Sequence, residues 1–207
     1  MSMMVLRVFA LCLLGWATVS FALAETGPAD DPKEMVRQTI ERMLALLEER
    51  RPEMEKSPGR IYGVVDEVVV PKFDFKRISR YALGRYWRRA TPEQRKAFTD
   101  EFKNLLIRTY ATSLLNYTGQ KIEYLPTRPG KNPDSVTVMT VVREEGGPKV
   151  PINYRLHRVE GKWLVYDVVI DGVSLVSNYR SSFASKIRRV KIDGLIVQLR
   201  QKNQQAM

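Results

Sequence analysis

The chain has 207 residues, with 34 Lys and Arg against 23 Asp and Glu, a formal net charge of +11 and a single histidine and cysteine. One cysteine excludes an internal disulfide, and one histidine beside it excludes zinc held by the usual ligand set. The length is sufficient for a core that needs no covalent staple.

Arg7 is the only charge before Glu25, and Val8 to Ala22 form an apolar run too short to span a bilayer. Ala22-Leu23-Ala24 supplies the small residues of a cleavage site. The segment 1–24 therefore reads as a cleavable signal peptide rather than a membrane anchor, and no lipidation motif surrounds Cys12. Cleavage after Ala24 would leave residues 25–207 as one exported domain without cysteine, at a net charge of +10. Export disfavours nucleic acid as the partner of so basic a chain. Acidic lipid headgroups or an acidic protein fit better.

Asp31, Pro32 and Glu34 give an N-cap, a proline at the first helical position and a capping-box glutamate. The helix that follows places Met35, Val36, Ile40, Met43, Leu44 and Leu47 on one face, with Pro52 just past its end. Ile61, Val64, Val65, Val68 and Val69 recur at helical spacing, although valine favours strands, and Pro71 ends the run. Asp74 can cap a helix carrying Ile78, Tyr81, Ala82 and Leu83. Thr91-Pro92-Glu93-Gln94 opens the longest helix, with Phe98, Phe102, Leu105, Leu106, Tyr110, Leu114 and Tyr117 on its face and Gly119 at its end.

The period then changes from 3.6 to 2. Strands are expected at Ile122–Tyr124, Ser135–Arg143, Lys149–Arg158 and Trp163–Ile170, joined by turns at residues 144–147 and 160–162. Two helices, at about Ser174–Arg189 and Asp193–Lys202, close the chain. Helices, then an antiparallel meander, then helices again describe an α+β domain with helices on one face of a curved sheet. The groove between the layers can be packed solid or left open.

The residues offer little for catalysis. Alternation places His157 on the polar face of its strand, as a solvated histidine. Ser174 lacks the second glycine of a nucleophile elbow, and there is no glycine-rich phosphate loop. Asp66-Glu67, Asp100-Glu101 and Glu144-Glu145 are sequence neighbours whose side chains diverge or sit in a turn. Asp167 is the only carboxylate on a central strand. Asp171 and Ser174 fit either a headgroup at a helix N-terminus or a simple cap. Arg180 fits an ion pair or a contact to an acidic partner. The sequon Asn116-Tyr117-Thr118 is incidental in a bacterial export context.

The stretch Tyr166–Leu199 carries the most specific pattern. Its Tyr166, Asp167, Gly172, Val173, Ser174, Leu175, Asn178, Tyr179, Arg180, Phe183, Gly194, Leu195, Ile196 and Leu199 resemble the C-terminal signature of the MlaC, or toluene-tolerance, family. Leu83-Gly84-Arg85-Tyr86-Trp87 with Thr91-Pro92-Glu93-Gln94-Arg95, the aromatic and leucine spacing from Phe98 to Tyr110, and Asp193-Gly194-Leu195-Ile196 resemble further family segments in the family's order. Arg88-Arg89 and Arg188-Arg189-Val190 make this chain more basic than the resemblance would suggest.

The resemblance implies a nuclear-transport-factor-2-like sheet enclosing an apolar cavity, with phospholipid as cargo and no cofactor, metal or enzymatic activity. It implies a periplasmic shuttle between an outer-membrane lipoprotein–porin complex and an inner-membrane ABC transporter with a substrate-binding ring, which preserves outer-membrane lipid asymmetry. With the alternation above, the expected cavity wall comprises Val68, Phe73, Ile78, Tyr81, Phe102, Leu106, Tyr110 and Leu114 from the helical half. From the strands and the closing helices it takes Met139, Val141, Ile152, Tyr154, Leu156, Tyr166, Val168, Val173, Leu175 and Leu195. An exported enzyme on the same fold, or a module that binds an anionic surface through exterior charge, are the competing readings.

Overall fold

Capping chemistry sets most helix starts in the computed structural model, which describes residues 31–144 and 146–205; the expected signal segment lies outside them. Helix α1 (Pro32–Glu49) begins where the Asp31 side chain accepts from the Lys33 N–H at 2.9 Å. Glu34 does not close a capping box there, because Arg37 and Gln38 hold its carboxylate at 2.7 Å each. Pro52 does not stop the helical path. It stands in the first turn of a short second helix, α2 (Arg51–Lys56), where a missing N–H costs nothing.

The valine-rich run is helical, as its spacing predicts: α3 (Arg60–Val68) buries Val64, Val65 and Val68, and that packing outweighs strand propensity. Pro71 sits in a 3-10 turn at residues 70–72. Helix α4 (Phe75–Leu83) is capped by Asp74, which accepts from the Arg77 N–H at 2.8 Å. A 3-10 turn, Gly84–Arg88, follows. Helix α5 (Pro92–Leu114) opens on a complete Thr91/Gln94 capping box and ends five residues before Gly119.

The strands are β1 (Lys121–Tyr124), β2 (Arg128–Pro129), β3 (Ser135–Arg143), β4 (Lys149–Val159), β5 (Lys162–Ile170) and β6 (Val173–Ser174). They form an open antiparallel sheet in the order β1-β3-β4-β5-β6, with β2 added to β3. The chain closes in α6 (Leu175–Gln205), a single helical run broken at Lys191, whose φ of 62° is left-handed. The expected division into two helices thus falls two residues before Asp193.

One irregularity matters for everything that faces the sheet. Arg155 pairs with Asp167 but Leu156 pairs with Val165, so Tyr166 has no partner and forms a β-bulge. Before the bulge Val165 shares a face with Leu156; after it Val168 shares a face with Tyr154.

Three buried clusters fill the fold. The first joins α4, α5 and α6 around Phe98, Phe102 and Phe183, whose rings meet at centroid distances of 5.1 to 5.5 Å. A second joins α1, α2, α3 and α5. The third lays Val36 of α1 on Val138, Leu156, Trp163 and Val165 of the sheet.

His157 is not the solvated residue that alternation suggests; it is 6% exposed. The bulge swings Tyr166 onto its face, and the Tyr166 ring meets the imidazole edge-on at 5.7 Å. Its Nδ1 lies 2.7 Å from Nη1 of Arg77, which can only donate, and its Nε2 lies 2.9 Å from Oδ2 of Asp74, which accepts. The ring therefore carries its proton on Nε2 and is neutral. Burial, aided by the Arg77 charge, holds its pKa below the ordinary 6.5 against the pull of Asp74.

An unfolded chain takes up a proton near pH 6.5 while the native imidazole stays neutral, so this contribution to stability is complete above that pH and is lost on acidification through the native pKa. The thermal midpoint should fall between about pH 7.5 and pH 5.5, and His157→Gln should flatten that slope. An identical slope in the variant would show that His157 is not the titrating group.

Candidate functional site

Among the three clusters, the first and third of which share Phe73 at their edges, lies a pocket of about 610 Å³, bounded by α1, α3 and its 3-10 turn, α4, α5, the first turn of α6 and one face of the sheet. Helix α1 contributes Met35, Ile40, Met43 and Leu44, and the α3 end contributes Val65, Val69 and Val70. Leu106, Tyr110 and Leu114 project from α5 at helical spacing. Across from them stand Ile122 of β1, Val142 of β3, Ile152 and Tyr154 of β4, and Val165, Val168 and Ile170 of β5.

The wall is apolar because its polar groups are spent on the protein itself. The Thr140 hydroxyl donates to the Ile152 carbonyl at 2.8 Å. Asp167, the only carboxylate of the lining, accepts from Arg155 Nη1 at 3.0 Å, Ser174 Oγ at 2.7 Å and the Val176 N–H at 3.1 Å. Desolvation pushes the Tyr154 phenol up to about 12, so it stays protonated. Apart from Asp167 and the half-buried Gln120, the charge and amide of the lining lie at the rim, where Lys72, Ser113 and Asn116 are exposed.

Ten of the residues expected from sequence line this pocket: Phe73, Ile78, Phe102, Leu106, Tyr110, Leu114, Ile152, Tyr154, Val168 and Leu175. Eight do not, for separable reasons. Met139 and Val141 face the other side of the sheet, since β3 pairs Val138 with Tyr154 and Thr140 with Ile152. Tyr166 is the bulged residue and packs on Tyr81, 5.7 Å away, which draws both rings out of the pocket. Leu156 is on the pocket face but fully buried in the dry cluster beneath α1. Val68 packs into the α1–α3–α5 cluster and Leu195 into the α4–α5–α6 cluster. Val173 is 56% exposed.

Sequence reasoning missed α1 as a wall. Its apolar face was legible, but a face of that width serves equally to cover a core. It also missed Val165, because only the bulge turns that residue inward. Ser174 resolves as a cap: it accepts from the Ser177 N–H at 3.1 Å.

The family model described as MlaC protein matches residues 37–201. The chain belongs to the MlaC family. Among its relatives, the toluene tolerance protein ttg2D of Pseudomonas putida is 28% identical over 165 residues, covering 79% of this chain and 76% of that protein. The intermembrane phospholipid transport system binding protein MlaC of Haemophilus influenzae is 21% identical over 193 residues, covering 91% and 90%. A phospholipid-binding protein from Ralstonia solanacearum, solved in complex with a phospholipid, is 34% identical with a TM-score of 0.77, covering 85% of this chain and 98% of that one. An α+β architecture with helices on an open antiparallel sheet is thus common to this MlaC-family chain and a protein solved with lipid.

The pocket assignment predicts opposite outcomes for two tryptophans. Leu106→Trp should lower binding of an apolar fluorescent dye to lipid-stripped protein by about threefold or more, since an indole fills the space. Met139→Trp, on the other sheet face, should leave binding within about twofold. Equal losses would place the pocket wall elsewhere.

Proposed function

We propose that this chain is an exported periplasmic carrier that holds the acyl chains of a phospholipid in the pocket between α1, α5 and the sheet. It takes phospholipid between an outer-membrane lipoprotein–porin complex and an inner-membrane ABC transporter with a substrate-binding ring, and so maintains outer-membrane lipid asymmetry. The carrying observation is a 610 Å³ pocket whose deep wall is apolar and whose few polar groups are already bonded to the protein. Phe73, Ile78, Phe102, Leu106, Tyr110, Leu114, Ile152, Tyr154, Val168 and Leu175 are the proposed acyl contacts.

The energetics suit carriage rather than capture. Burying a methylene is worth about 0.8 kcal/mol, so a diacyl lipid with ~30 of them gains ~24 kcal/mol gross. A bilayer offers nearly the same gain, so small differences at the rim decide loading and release. A wet, charged site would hold the wrong ligand. The rim, with Lys72, Ser113 and Asn116, is where a headgroup would remain in water.

The enzyme reading has no support at this site. Asp167, its best candidate acid or base, has both oxygens engaged in joining β4, β6 and α6. No cofactor is proposed; the phospholipid is cargo.

Organic extraction of protein purified without denaturation, followed by mass spectrometry, should yield phospholipid at about one molecule or more per chain. Protein that is stripped, refolded with phospholipid vesicles and still yields none on extraction would overturn the proposal.

A further inference from the structure

Two sets of arginines in this protein contrast in how their charge is met. Arg37, Arg50, Arg51, Arg60, Arg143, Arg155 and Arg200 each sit within 3.6 Å of a carboxylate. The second group gathers where the 3-10 turn Gly84–Arg88 packs against α6, and among the described residues no carboxylate lies within ion-pair distance of it.

This gathering is built. Arg85 donates from Nη2 to the Tyr86 hydroxyl at 3.1 Å and lies over the Tyr86 ring at 5.1 Å. The Arg188 charge, from α6, adds to that of Arg85 in holding the Tyr86 phenol below its ordinary pKa. Arg180, two turns earlier on α6, lies against Gly84: a Cβ there would stand 2.7 Å from its Nε. Gly84 also has a φ of 54°, so the absence of a side chain serves both the turn and the guanidinium. Arg88, Arg89 and Arg189 extend the cluster and are exposed.

Like charges held together oppose folding unless an anion lies among them. Seven arginines elsewhere have a carboxylate of this chain beside them; among the described residues this cluster has none. Guanidiniums fixed by an aromatic ring and a glycine are also already ordered for bidentate contact with carboxylates, which flexible lysines would not be. Arginine beside Tyr86, the half-buried Trp87 and the exposed Val190 has the composition of a protein interface rather than of a merely basic surface.

We infer that the Arg85–Arg180–Arg188 cluster, flanked by Arg88, Arg89 and Arg189, is a docking surface for an acidic protein partner. None of these arginines lines the pocket. Val176 in the first turn of α6 does, whereas Arg180 lies four and Arg188 twelve residues further, on the order of 6 Å and 18 Å along the axis. A partner can therefore hold the chain by this surface without covering the pocket rim, and the inference stands whether or not the pocket carries lipid.

The test compares two charge-matched double reversals of the full chain. Arg85→Glu with Arg188→Glu removes the cluster, whereas Lys131→Glu with Lys162→Glu makes the same change in net charge at an exposed loop and an exposed strand end of the sheet. Should the first variant fail to fold by circular dichroism, Arg88→Glu with Arg189→Glu, both exposed, replaces it. The probe is fluorescein-labelled poly-L-glutamate, read by anisotropy at about 50 mM and about 300 mM sodium chloride. The cluster variant should lose about tenfold or more in affinity and much of the salt dependence, and the control less than about threefold. Equal losses would reduce the effect to net charge and overturn the inference. A parallel arm uses phosphatidylcholine vesicles containing phosphatidylglycerol. If wild-type binds those vesicles more tightly than the polymer, and the cluster variant alone loses that binding, the partner is a membrane and the inference is overturned.

Discussion

One buried carboxylate joins the two layers of this protein. Asp167 sits beside the bulge in β5, 4% exposed, and receives Arg155 from β4, Ser174 from β6 and one free N–H of the first turn of α6, that of Val176. An unpaired carboxylate at that depth would be costly, and its removal would leave the buried Val176 N–H without a partner, at about 1–3 kcal/mol. The arrangement explains why the chain can pass from strand to helix within a few residues. It fixes the start of α6, and the start of α6 forms one wall of the pocket.

The bulge and the carboxylate act together. By leaving Tyr166 unpaired, the sheet turns Val165 and Val168 to the same side and sends Tyr166 to the other, where it packs with Tyr81 and His157. The side facing the helices is then almost wholly apolar. The helices cannot close over it, because α1 is held at one end by Val36 on the dry strand cluster and α5 is held at the other by the Phe98–Phe102–Phe183 group. What remains between those anchors is the pocket. Its apolar character and its openness have the same origin: helices fastened at their ends by packing, across a sheet face with nothing polar left to satisfy.

The sequence made the helices and strands legible wherever a cap or a period was strong. Asp74, Thr91 and the alternation through Ser135–Arg143 all mark elements that the structure contains. It misled where a local feature depends on distant pairing. Alternation alone cannot say which face of β3 is inward, so Met139 and Val141 were expected on the pocket side; register with β4 decides the matter. Nor does alternation reveal a bulge, which is why Tyr166 was expected inside, Val165 was missed and His157 was read as solvated. Pro52 reads equally as a stop or as a first-turn residue, and only the packing of Met54 selects the second. The helical half of the pocket was read more accurately, because Leu106, Tyr110 and Leu114 lie on a helix whose phase is set by a capping box at its start.

The central claim is one of place: that acyl chains lie between α1, α5 and the inner face of the sheet. A crystal structure of the protein purified without denaturation tests it directly. The account predicts continuous density for one or more acyl tails running from the rim near Lys72, Ser113 and Asn116 inward past Leu106 and Ile152 to Tyr154. A pocket closed by inward movement of α1 with no such density, or density bound on the sheet face that carries Met139 and Val141, would contradict it.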